Sequence, residues 1–140
     1  MTLVAPLIDL PPVLLAHIAA ATAALLLGPV ALTARKGSPL HRSAGYLWVA
    51  LMLVTATSSL FIRDFRLPNL AGYTPIHLFA LATYAGLAAA IAAVLRRDIR
   101  THRRRMWATY LGGCVVAGLF TLLPGRLLGQ LLWHQAPGLV

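Results

Sequence analysis

The stretch HIAAATAALLLGPVALTARKGSPLHRSAGYLW, from His17 to Trp48, decides the fold. An apolar run opened by one histidine reaches a short basic turn, and a second histidine opens the next apolar run. The stretch HLFALATYAGLAAAIAAVLRRDIRTHRRRMW, from His77 to Trp107, repeats the pattern. The two histidines stand 24 positions apart in the first copy and 25 in the second, and in each the second histidine is followed directly by arginine. Apolar runs of this length cross a hydrocarbon core of roughly 30 Å at about 1.5 Å per residue. Each copy therefore reads as a helical hairpin that crosses a membrane and returns. The expected fold is all-α: an integral membrane four-helix bundle built from two tandem hairpins, in one transmembrane domain covering residues 1–140.

Composition agrees and removes much enzymology. Hydrophobic residues make up 59% of the 140 and charged residues 11%, with no glutamate and only Asp9, Asp64 and Asp98 as acids. Paired carboxylates for glycosidase-type acid/base work, or a carboxylate cage for a hard metal, are excluded. The net charge of +9 would suggest nucleic acid in a soluble domain, but most of it falls in two short connections. Membrane orientation accounts for it, and no nucleic-acid partner is expected. The single cysteine, Cys114, lies inside an apolar run and reads as a small packing residue. Ser43, Ser58 and Ser59 lack a nucleophile's partners, and no CxxC, HExxH or phosphate loop is present.

In chain order the spans are expected at about 13–34, 44–62, 75–95 and 106–123, followed by an interfacial tail at 126–140. Met1 to Pro12 carries no positive n-region, so no removable signal peptide is read. Pro29 is expected to bend the first helix. Thr55, Thr57, Ser58 and Ser59 form a polar cluster that reads as helix glue, and Trp48, Trp107 and Trp133 read as an aromatic belt. Lysine and arginine number three and six in the first and third connections against two in the middle one. The first and third connections are then cytoplasmic, both termini lie outside, and the hairpins form a parallel internal repeat in a bacterial inner membrane. A four-helix unit of this size is also a candidate homodimer.

That symmetry sorts the histidines. His17 and His77 open the first and third helices at the outer side, while His41 and His102 sit just before the second and fourth at the inner surface. Neutral imidazole is an axial ligand of haem iron, and two from facing helices complete its coordination. Small residues nearby, Ala20, Ala21, Ala24, Ala80 and Gly86, leave room for a macrocycle, and Arg126 or Arg63 can neutralise its propionates. The plainer reading is that small residues let membrane helices pack closely and that the histidines bond to carbonyls. His134 adds a third outer imidazole, which with His17 and His77 makes a zinc or copper site a further alternative. The row Arg103, Arg104 and Arg105 suits anionic lipid headgroups.

The residues KGSPLHRSAGYLW, YTPIH, HRRRMW and GLFTLLPGR, over about His17 to Leu128, resemble a family of small bacterial predicted membrane proteins of uncharacterised function. More loosely, the four-helix layout with two histidine pairs is similar to transmembrane di-haem b-type cytochromes. That similarity implies haem b on His17 and His77, with His41 and His102 as a second pair, and electron exchange with quinol or a redox partner. There the ligands lie within the spans, whereas the sequence puts His41 and His102 in or beside loops. The alternatives that stay open are a non-catalytic membrane subunit or assembly factor, and a histidine-based metal-handling protein.

Overall fold

A computed structural model describes residues 10–62 and 77–122. Helix α1 spans Pro12–Thr33 and α2 spans Pro39–Phe61, while α3 spans Leu78–Leu95 and α4 spans Ile99–Tyr110. The fourth helix continues without a break through a π-helical segment, Leu111–Val116, into α5, Ala117–Thr121. Among the described residues three helices, α1, α2 and α3, are long and apolar enough to cross a membrane.

Two helices begin earlier than the apolar runs suggest. Ser38 caps α2, its hydroxyl accepting the backbone N–H of His41 at 3.1 Å, and Pro39 follows at the first helical position. Asp98 caps α4 by accepting the N–H of Thr101 at 3.1 Å. Helix formation follows capping and propensity, and arginine is a good helix former, so the basic segments coil although they lie outside the apolar runs. His41 and His102 are consequently in the first turn of their helices, not in loops.

The residue before each of these caps is left-handed. Gly37 has φ +80°, which glycine adopts freely, whereas the equivalent residue in the other turn is Arg97 at φ +58°. A non-glycine residue there costs on the order of 1 kcal/mol or more.

The helices pack as a ring, α1 on α2 and α3 on α4, closed by α2 on α3 and by α1 on α4. The contact faces are made of small residues, with Ala20, Ala24, Ala31, Ala44, Ala56, Ala80, Ala90 and Ala93 all buried. Large apolar side chains point outward, Leu26 being 70% exposed and Leu95 79%. This inversion of the soluble-protein pattern suits a bundle bathed in lipid, where association depends on close van der Waals packing and not on expulsion of water. The middle is filled by Trp48, Met52, Leu87, Tyr110 and Cys114 around Ala24. Trp48 is 3% exposed and packs against Tyr110, with ring centroids 6.4 Å apart. It is a core residue rather than a member of an interfacial belt, because it is the tenth of the 23 residues of α2, away from either end, and faces α1. Gly28 admits the Tyr110 ring into the space a Cβ would take. Cys114 is buried, as its place in an apolar run suggests, with Sγ 3.3 Å from Met52 Sδ.

Candidate functional site

Three side-chain N–H groups cross from one helix of the first hairpin to a main-chain carbonyl of the other. His17 Nδ1 lies 3.0 Å from Thr55 O, Trp48 Nε1 lies 3.0 Å from Ala24 O, and His41 Nδ1 lies 2.9 Å from Ala31 O. On α1 the positions are 17, 24 and 31, and on α2 they are 55, 48 and 41, so each step is seven residues along both helices. A step of seven returns to the same helix face, which lines the three bonds up along one antiparallel seam. In the second hairpin, His102 Nδ1 makes the same kind of bond to Ala90 O at 2.9 Å. His77 Nε2 meets Ile62 O, the carbonyl ending α2, at 2.8 Å.

These bonds fix the protons. A carbonyl oxygen has none to give, so the nitrogen facing it must carry the hydrogen. In the neutral form His17, His41 and His102 therefore hold their lone pair on Nε2. His17 Nδ1 is also 3.0 Å from Ser58 Oγ, whose own hydrogen goes to Val54 O at 2.6 Å. His77 is turned the other way, with Nε2 donating. All four rings are half-buried.

The histidines divide between the two ends of the bundle. His17 and His77 are both tied to the last two turns of α2, through residues 55, 58 and 62, which share one helix face. His41 and His102 lie at the opposite end, on α2 and α4. The helices in each pair stand diagonally in the ring, on either side of the core. Arg126, Arg63 and His134 lie outside the described residues, and among the described residues no three histidine, cysteine or acidic side chains gather as a metal site. The polar cluster of α2 does join helices: besides the Ser58 contact to His17, Thr57 Oγ1 is 2.6 Å from Tyr84 Oη on α3. Near it an open groove of about 420 Å³ is lined by Val13, Leu53, Val54, Thr57, Ser58 and Phe61, and no histidine lines it.

The end that holds His41 and His102 is strongly cationic. All nine described lysines and arginines, from Arg35 to Arg42 and from Arg96 to Arg105, lie there with Asp98 as the single described acid. The Asp98 carboxylate is committed to its cap, and Thr101 holds it below the ordinary carboxylate value. Lys36 folds back so that Nζ donates to Leu32 O at 3.0 Å, over the carbonyl end of α1. Partial burial and then the nearby Arg103 guanidinium hold its ammonium pKa below the usual lysine range.

Two signals were available for residues that sequence reasoning placed elsewhere. The seven-residue spacing of His17, Ala24 and Ala31 against His41, Trp48 and Thr55 marks Trp48 as a seam residue. The SPxH and DxxT segments mark the two caps. Tyr110, whose hydroxyl donates to Leu25 O at 3.0 Å, carries no comparable mark.

Fold and site together define a multi-span α-helical membrane protein whose helices are tied by imidazole and indole N–H groups. The chain belongs to the DUF2306 family, described as predicted membrane proteins, whose family model matches residues 14–124. No curated protein and no solved structure matches it.

Proposed function

We propose that this protein is a b-type haem carrier of the bacterial inner membrane, exchanging electrons with quinol or a protein redox partner. Its basic end faces the cytoplasm, its termini face outward, and its two hairpins are a parallel repeat, as the arginine distribution favours. The observation that carries the reading is the Nδ1 bond of His17, His41 and His102 to a main-chain carbonyl. Histidines that ligate a metal characteristically donate their other N–H to such an oxygen, which orients the ring and raises its basicity.

The fit differs between the ends. His41 and His102 are both held through Nδ1 from diagonal helices and match a bis-imidazole pair. His17 matches as well, whereas His77 is turned the other way, with Nε2 on Ile62 O. The filled middle confines any planar group to the ends. Bound haem would supply one-electron exchange. His41 and His102 would supply the imidazole nitrogens that hold it, and arginines of the basic end other than Arg103, such as Arg42, would neutralise its propionates.

The test is the visible spectrum of detergent-purified protein expressed with haem precursor, oxidised and then reduced with dithionite. A sharp reduced α band that disappears in His41→Ala and His102→Ala is the expected result. A folded, monodisperse sample that stays colourless overturns it. One observation favours a second reading: every described histidine already has a bonding partner on a neighbouring helix. On that reading the protein is a helical subunit or assembly factor, and His17→Ala or His41→Ala lowers stability with no spectral change.

A further inference from the structure

The seam between the hairpins at the cationic end brings like charges together. Tyr110 Oη donates to Leu25 O at 3.0 Å and sets the register of α4 on α1. Seven residues along α1 from Leu25 is Leu32, whose carbonyl holds Lys36 Nζ at 3.0 Å. Seven residues back along α4 from Tyr110 is Arg103. One heptad step preserves helix face and level on both sides. The Lys36 ammonium and the Arg103 guanidinium are thus set opposite each other across the α1–α4 contact. No carboxylate answers them among the described residues, since Asp98 is used as a cap. Nearby, Arg97 occupies a left-handed position where glycine stands in the matching turn, so the chain tolerates backbone strain that places one more cation at this end.

We propose that Lys36 and Arg103 form a headgroup site in which the phosphate of an anionic bilayer lipid bridges the first hairpin to the second. The location argues for a lipid phosphate. The pair sits at the end of three spans, at headgroup depth, with exposed apolar side chains such as Leu40 and Ile99 in the neighbouring first turns to meet acyl chains. A phosphate there converts a repulsive contact into two charge-assisted hydrogen bonds. The proposal is independent of haem binding.

The test uses the full chain in nanodiscs of phosphatidylcholine, alone or doped with phosphatidylglycerol, with thermal unfolding and native mass spectrometry as readouts. Phosphatidylglycerol is expected to raise the melting temperature and to remain as a bound adduct. Lys36→Gln and Arg103→Gln should each weaken retention about fivefold, as expected for one cation at an anionic surface, while Arg35→Gln should change it much less. Equal losses in all three variants would mean a diffuse surface potential and would overturn the site. So would equal melting in the two kinds of disc. Inorganic phosphate that reproduces the stabilisation in pure phosphatidylcholine overturns the lipid as its source.

Discussion

Replacing Trp48 by phenylalanine tests the seam directly. The indole is 3% exposed, donates to Ala24 O, and packs on Tyr110. Lipid is as apolar as the core, so area removed from water is the wrong measure of its contribution. What is lost is one interhelical hydrogen bond, worth about 0.6 kcal/mol on average in membrane proteins, and the packing of the larger ring. The Ala24 carbonyl is not orphaned, because it lies within α1 and keeps its intrahelical donor. Aromatic pairing contributes about 0.5–1.5 kcal/mol, part of which phenylalanine retains. With the small void left beside Ala24, the sum is about 2 kcal/mol, or roughly 30-fold in the unfolding equilibrium. The assay is reversible unfolding in mixed micelles by detergent titration, with half-buried Trp107→Phe as the comparison. If Trp48→Phe proves no more costly than Trp107→Phe, Trp48 is an interfacial aromatic after all and the seam argument fails.

At the α3–α4 contact, a Cβ on Gly86 would run into Thr109 Oγ1. Gly86→Ala is expected to destabilise by about 1–3 kcal/mol through overpacking, and Thr109→Ala in the same chain should recover most of it in the same unfolding assay. For Asp98, the folded-state pKa lies below the ordinary 3.8, so its contribution is fully present above that value and is lost as pH falls below it. Amide exchange at Thr101 should accelerate in that acid range beyond the intrinsic rate, and Asp98→Asn should remove the pH dependence.

The number and kind of helices were legible because apolar runs near twenty residues long have few other uses. Membrane-span limits and helix limits are set by different physics, however. Hydropathy stops at Ala44 and Met106, while Ser38 and Asp98 start their helices earlier, and this moved His41 and His102 out of loops. The histidines were legible as notable, since imidazole is costly in an apolar helix, but their partners were not. Thr55 O, Ala31 O, Ala90 O and Ile62 O are main-chain atoms, and a carbonyl acceptor leaves no trace in residue identity. Trp48 was misplaced for a related reason: belt and core tryptophans look alike until the opposing helix supplies an acceptor.

The π-helical segment Leu111–Val116 acts as a phase step in the fourth helix. A π turn holds one residue more than an α turn, so residues on either side of it follow different angular settings. Before it, Thr109 and Tyr110 address α3 and α1; within it, Cys114 reaches Met52 on α2. Gly112 and Gly113, with little side chain to crowd the wider turn, lie inside it. Deleting one residue there would return the segment to α geometry and leave the residues beyond facing as they do now, because the wider turn absorbs just the one extra residue. The wide turn therefore lets this helix hold one residue more between Tyr110 and Ala117 than an α-helix would, while the end of the bundle keeps the face it presents to the ring.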